Sequence, residues 1–352
     1  MKRIAIVTIT NSGMNFGNRL QNYALQYVLE ACSANVQTIF SAKSMWGSLF
    51  LSRLRRFAKA ILKKDGRRRC FNSFDKAYIK KSPKVRYEKI NEQSFDRDYD
   101  AFIAGSDQVW NPEFHFNSEF EFLTFADPSK RFSYAASFGV SGISDKHKKD
   151  YAQMLSSMRL ISVREDEGRE IVKQLTGKDA MVHIDPTMLL GEDHYAAMER
   201  MPKANVPEKY VLAYFLGKKK SEYVSFSEDV AEKLQAKVLQ LSESPGTPFY
   251  DIGPLQFIYL LRHSEYICTD SFHGTVFAIL FRKRFTTFYR KKSSGEMHSR
   301  INTLLKKLRL QDRLYGVLGT DDSIKELSYD EVEKCLEQER VLALEYLNGI
   351  VE

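Results

Sequence analysis

Apolar runs and helix-spaced apolar faces alternate along this chain. Ile4–Ile9 is an apolar run of the kind that fills a buried parallel strand. The polar loop Thr10–Asn18 follows, and Leu20, Tyr23, Ala24, Tyr27 and Val28 then mark one face of a helix. Val36–Phe40, Ala101–Ala104, Phe132–Ala136, Leu160–Val163 and Met181–Ile184 read as further short strands, with a helix over Gly168–Leu175. Lys203–Lys209 is polar, proline-marked and reads as a linker. A second series follows it. Strands are predicted at Tyr210–Leu216, Lys237–Leu241, Tyr266–Thr269 and Phe285–Tyr289. Helices are predicted at Ser225–Gln235, Pro254–Arg262, Thr275–Phe281, Ser299–Leu308 and Tyr329–Asn348. Strand–helix alternation means βαβ units and parallel sheets. Two series predict two doubly wound α/β domains, residues 1–202 and 203–352, facing a cleft. Ligands of such sheets sit outside the carboxyl ends of the strands.

Composition sharpens this picture. The chain has 352 residues, 43% of them apolar, enough for two folded domains and too many for a disordered chain. No apolar stretch approaches a membrane span, and Met1–Val7 reads as a first strand, not a signal peptide. Cys32, Cys70, Cys268 and Cys335 lie far apart, which argues against a disulfide framework or zinc site and fits a cytoplasmic protein.

The net charge of +8 is unevenly placed. Residues 41–97 hold 17 Lys/Arg and 5 Asp/Glu, a net of +12, which leaves the rest of the chain at −4. A uniformly basic nucleic-acid binder is not distributed like this. Within the segment, Trp46, Phe50, Leu51, Leu54, Phe57, Ile61 and Leu62 recur at helical spacing, with Arg53, Arg56, Lys59 and Lys63 between them. A basic amphipathic helix over 46–64 suits an anionic membrane surface; the same pattern also suits a core-packed helix with a solvated basic face. The aromatics fall on the apolar stripe and offer no stacking platforms, so no nucleic acid is expected. Arg67-Arg68-Arg69 reads as an exposed turn.

Three stretches could carry chemistry. In Thr269-Asp270-Ser271-Phe272-His273-Gly274 an apolar strand ends and a helix begins after His273-Gly274. An anion is favoured at such a helix start, and a histidine side chain can give or take a proton. The alternative is a capping turn, with Asp270 or Ser271 as N-cap and His273 packed for structure. In Ser162-Val163-Arg164-Glu165-Asp166, Arg164 can clamp an anion through two donors, or pair with its acidic neighbours. In Gly105-Ser106-Asp107-Gln108-Val109-Trp110-Asn111, Asp107 can bind sugar hydroxyls and Trp110 can face a sugar ring; alternatively Asp107 caps a helix and Trp110 fills the core. Gly13 and Gly17 match neither the P-loop nor G-x-G-x-x-G. There is no H-E-x-x-H and no G-x-S-x-G.

Together these stretches resemble the polysaccharide pyruvyl transferases, over Met1 to about Arg313. The match rests on Thr8-Ile9-Thr10-Asn11 through Gly17-Asn18-Arg19-Leu20-Gln21, on the Gly105–Asn111 and Ser162–Glu165 stretches, on Asp185-Pro186-Thr187, and on Asp270–Gly274. The basic segment, about 44–97, has no counterpart in that pattern. The resemblance implies a fold similar to the two-domain GT-B glycosyltransferases, with an acceptor-side N-terminal and a donor-side C-terminal domain. It implies phosphoenolpyruvate as donor, a sugar of a bacterial surface polysaccharide or its lipid-linked precursor as acceptor, and a cyclic pyruvate ketal as product. It implies no metal and no cofactor, and a cytoplasmic or peripheral inner-membrane location. The catalytic histidine then falls on His273. Donor contacts fall on Arg164 and on Ser271, Phe272 and Gly274, and acceptor contacts on Asp107, Asn15 and Trp110. A nucleotide-sugar glycosyltransferase of the same architecture is the competing reading, although no acidic ribose ligand is evident. A non-enzymatic glycan-binding protein is a third.

Overall fold

The apolar runs become two parallel sheets. The structure, a computed structural model, describes the chain apart from residues 11–12, 43–64, 84, 87–94, 115–118, 218–219, 243, 293–294 and 297. In the first half, β1 (Arg3–Val7), β2 (Asn35–Thr38), β3 (Ala101–Ala104) and β4 (Arg131–Ser133) lie in the order β2-β1-β3-β4. All pairings are parallel; Ile4 lies between Val36 and Ala101. Single bridges, Phe132 to Leu160 and Ala136 to Val163, carry the sheet on to β5 (Ser162–Val163) and β6 (Met181–Val182). The second half repeats the plan. There β7 (Tyr210–Tyr214), β8 (Lys237–Leu241), β9 (Tyr266–Thr269) and β10 (Arg284–Thr287) run in the order β8-β7-β9-β10. Every residue of β7 and β9 is buried, whereas β8 is mostly exposed, as an edge strand can be.

The helices that position the site are α1 (Phe16–Ala31), α2 (Gly66–Tyr78), α3 (Asp166–Thr176), α4 (Pro254–Arg262), α5 (Phe272–Leu280), α6 (Ser299–Lys307) and α7 (Asp330–Val351). Asn15 caps α1 by accepting the Asn18 backbone N–H at 2.9 Å. Leu20, Tyr23, Ala24 and Val28 are buried as their spacing predicts; Tyr27 is 43% exposed and packs edge-on against His194. In each sheet the strand order reverses at the middle pair, β1/β3 and β7/β9. That reversal opens a crevice at the carboxyl ends.

The two halves share one apolar core. It takes in Ile4, Ile6 and Leu20 from the first and Leu212, Ile267 and Phe277 from the second. At the seam, Phe16 of α1 stacks on Phe257 of α4, with centroids 4.6 Å apart and planes 7° from parallel. The last helix, α7, packs back on the first half: the Tyr346 hydroxyl donates to Ser133 O at 2.7 Å and Arg340 Nε to Met188 O at 2.8 Å.

The predicted basic helix over 46–64 lies outside the described residues. The arginine run after it lies in a helix and not a turn; Arg68 and Arg69 are exposed as expected, and Arg67 is not. Asp65 caps α2, and Arg67 in its first turn is 2% exposed. The Arg67 guanidinium lies 4.5 Å from the Phe16 ring centre and 5.3 Å from that of Phe71, and Nη2 donates to Met14 O at 2.8 Å. The Arg67 backbone N–H donates across the seam to Asp251. Among the described residues no helix is long and apolar enough to cross a membrane.

Arg67 therefore ties α1, α2 and the second half together. Arg67→Ala is expected to lower stability by about 2–4 kcal/mol through lost packing, cation–π contact and hydrogen bonding. The shift of the urea midpoint measures this; a midpoint equal to that of the parent would contradict it.

Candidate active site

The site forms where the two crevices meet. Helix α5 starts at Phe272, earlier than the sequence pattern suggests, so His273 lies inside its first turn. Ser271 is the N-cap, and its Oγ accepts the Gly274 N–H at 3.3 Å. The Ser271 hydroxyl is thus committed to the helix. A Cβ on Gly274 would run into Thr269 Oγ1, so glycine lets α5 begin directly over the end of β9. Across the seam, a Cβ on Gly17 would overlap the His273 imidazole. The first turn of α1 thus abuts the His273 ring, which is only 8% exposed.

Asp185 joins the two halves. It follows β6 and is fully buried. Its Oδ2 accepts from Arg164 Nη1 at 2.6 Å and from Ser106 Oγ at 2.8 Å, and lies 3.6 Å from His273 Nε2. Its Oδ1 accepts the backbone N–H and the hydroxyl of Thr187 at 3.1 and 2.7 Å. Burial alone would push this carboxyl up. The neighbouring His273 and Arg164, with the Thr187 hydroxyl, outweigh that and hold it well below the usual carboxylate range.

Arg164 follows β5 and is 3% exposed. Its guanidinium lies 4.3 Å from the Phe272 ring centre. It pairs with Asp185 and not with its sequence neighbours: Glu165 Oε1 accepts from Ser137 Oγ and from the backbone N–H groups of Phe138 and Gly139, at 2.8 to 3.0 Å.

Asp107 reaches the same place. Its φ of +79° is unusual for a residue with a side chain. The carboxylate accepts from the Gln108 N–H at 2.9 Å and from Asn18 Nδ2 at 3.2 Å, and lies 3.8 Å from Arg164 Nη2. Asn15 sits one turn away as the α1 cap. Trp110 does not join them. It is wholly buried, stacks on Phe122 at 5.3 Å, and donates its indole N–H to Glu121 O. Its ring presents no face to a ligand, so the expected sugar contact is replaced by a core role.

Two further arginines enter that the sequence pattern did not single out. Arg300, in the first turn of α6, is 8% exposed and lies 5.6 Å from the same Phe272 ring centre. Arg290 donates from Nη2 to Asp270 O at 3.1 Å, and its Nε lies 3.5 Å from Asp270 Oδ2. Asp270 also accepts the backbone N–H groups of Leu216 and Gly217, which fixes the loop after β7. Arg164 Nε and Nη2, Arg290 Nε, Arg300 Nε and His273 Nε2 are all buried without a hydrogen-bond partner among the described residues. Three of them face a carboxylate without hydrogen-bonding to it: Arg164 Nη2 lies 3.8 Å from Asp107, Arg290 Nε 3.5 Å from Asp270 and His273 Nε2 3.6 Å from Asp185. Buried polar groups rarely stay without a hydrogen bond, and a concentration of such donors marks a place for an anion. Among the described residues no trio of His, Cys, Asp or Glu converges as metal ligands would.

Comparison with known proteins agrees on family and fold. A family model described as polysaccharide pyruvyl transferase matches residues 15–292. No curated protein matches the chain. Among solved structures, the UDP-GlcNAc 2-epimerase from Neisseria meningitidis superposes with a TM-score of 0.52 at 11% identity, covering 100% of this chain and 98% of that one. The S. aureus MnaA–UDP co-structure gives 0.52 at 11% identity, with 92% and 86% covered. An alpha-glucosyltransferase in complex with UDP and DNA gives 0.50 at 12% identity, with 98% and 95% covered. The fold is GT-B-like: two doubly wound domains facing a cleft.

The geometry of Asp185 sets a pH dependence. An unfolded aspartate titrates near 3.9, above the folded Asp185, so as pH falls the unfolded chain takes the proton first. The stability Asp185 contributes is whole above that value and drains away below it. Asp185→Asn is expected to cost about 3–5 kcal/mol at neutral pH and to flatten the acid limb of the stability curve. Urea unfolding at several pH values checks this; an unchanged acid limb would contradict it.

Proposed function

The chain belongs to the polysaccharide pyruvyl transferase family, and on that premise we propose that it moves pyruvate from phosphoenolpyruvate to a sugar of a bacterial surface polysaccharide or its lipid-linked precursor. The observation that carries this reading is the pairing of His273 with a buried, anion-seeking Arg164 through one carboxylate, Asp185. Phosphoenolpyruvate brings a phosphate and a carboxylate to such a site. Arg164, stacked against Phe272, holds an anionic group with Nε and Nη2, which make no hydrogen bond among the described residues. The α5 start adds the positive end of a helix.

The chemistry follows from the donor's enol ester. A proton added to the methylene carbon makes C2 cation-like. One sugar hydroxyl then attacks C2, forming a C–O bond. The C2–O bond to phosphate breaks, and the electron pair leaves with inorganic phosphate. A second hydroxyl on the sugar attacks C2 and closes the ketal. Of the two hydroxyl protons, one balances the proton gained by the new methyl group and the other leaves on phosphate; nothing is oxidised. His273, with the Asp185 carboxylate 3.6 Å from its Nε2, is the group that gives and takes these protons. Asp107 and Asn15 face the acceptor from the first half.

The same fold serves nucleotide-sugar enzymes, so the donor decides between the readings. Incubation with phosphoenolpyruvate and a panel of lipid-linked oligosaccharides is expected to release phosphate and to add a pyruvate ketal by mass. Consumption of a nucleotide sugar instead would overturn the proposal. His273→Ala is expected to lower turnover about 10²–10⁴-fold with native circular dichroism. A folded His273→Ala enzyme of parental turnover would remove His273 from the mechanism.

A further inference from the structure

Arg300 is a buried cation that contacts the Phe272 ring. It makes no hydrogen bond or ion pair with any described residue, and its Nε is buried and unpaired. Burial, and then the positive charge of Arg164, push its pKa down to about 10, still far above neutrality. The site therefore keeps two mutually repelling guanidiniums, both within reach of one aromatic ring. The carboxylates of Glu165 and Asp107 offset part of this, yet among the described residues neither forms an ion pair with Arg300. A buried charge without a direct ion pair is costly, and two side by side are costlier.

The nearby carboxylates are largely committed. Asp185 is filled by Arg164, Ser106 and Thr187. Asp270 is filled by the Leu216 and Gly217 N–H groups. Asp107 serves Asn18 and Gln108, and Glu165 serves the Ser137–Gly139 loop through Oε1, with Oε2 left over. Among the described residues no carboxylate oxygen forms a hydrogen bond or ion pair with Arg300, and an acceptor with several oxygens would fit beside it.

The placement of Arg300 is also fixed. Its helix α6 docks on the first half: Thr303 Oγ1 accepts the Asp166 N–H of α3 at 3.0 Å, next to Arg164 and Glu165. Arg300 thus comes from the second half and Arg164 from the first, and both meet at Phe272. Arg300 lies beyond residues 15–292, so the family match does not assign it.

We propose that Arg300 is a donor-binding residue: together with Arg164 it grips the phosphate of phosphoenolpyruvate, so that cations from both halves complete the donor site. This rests on the reading of the donor given above. The same grip would hold the inorganic phosphate released by the reaction.

Calorimetric titration of the full-length protein with phosphoenolpyruvate, and separately with inorganic phosphate, tests it on wild type, Arg300→Gln and Arg300→Lys. Wild type is expected to bind both anions. Arg300→Gln should weaken both by about 10–100-fold, as for a lost charge-assisted bond. Arg300→Lys, which keeps the charge but not the fork, should weaken both several-fold. A wild type that ignores phosphoenolpyruvate would sink the donor reading itself. A wild type that binds it, with a folded Arg300 variant of parental affinity, would overturn the role of Arg300 alone. Weakened phosphoenolpyruvate binding with parental phosphate binding would also overturn the phosphate assignment. If Arg300→Gln does not fold, the Lys variant decides by the same criterion.

Discussion

The buried carboxylate of Asp185 is the contact on which the site depends. It accepts a guanidinium, two hydroxyls and a backbone N–H, and it lies beneath His273 from the other half of the molecule. Removing one partner of a buried ion pair leaves an uncompensated charge, so these groups stand or fall together. The arrangement fixes Arg164 with Nε and Nη2 making no hydrogen bond among the described residues, and it sets a carboxylate 3.6 Å from His273 Nε2. A rigid base of this kind is what a binding site for a small polyanion requires, because the donors must be aimed before the ligand arrives.

That base is possible because the two sheets are not loosely tethered. Phe16, Phe71 and Phe257 pack across the seam, Arg67 covers them, and α7 returns to the first half. Gly17 lets α1 press against His273. The motif Gly17-Asn18-Arg19-Leu20-Gln21 thus acquires separate physical tasks. Gly17 makes room for the imidazole and Asn18 holds Asp107. Gln21 holds Thr8 at 3.1 Å, and Arg19 pairs with Asp75 of α2.

Much of this was legible in the chain because it is local. Continuous apolar runs marked the buried strands, and a strand ending in polar residues marked the crevices where His273, Arg164 and Asp107 lie. The Ser271 cap was visible as one of two readings of its turn. The remainder depends on distant neighbours. An aromatic after a strand has no inherent side, so Trp110 read as a sugar platform although Phe122 and Glu121 bury it. Arg67 read as exposed because a charge run usually is; only the aromatics of α1 explain its burial. Arg290 and Arg300 carry no motif, and Asp185 was visible as part of the Asp185-Pro186-Thr187 stretch but not as the partner of Arg164 and His273. Their importance lies in contacts between residues twenty or more positions apart, which periodicity does not encode.

The most direct test of the account is a crystal structure of the protein with phosphoenolpyruvate and no acceptor. The account predicts the donor in the cleft between the halves, its anionic oxygens within hydrogen-bond distance of Arg164 and its methylene carbon facing His273. A donor bound elsewhere, or bound in the cleft with neither residue in contact, would contradict it.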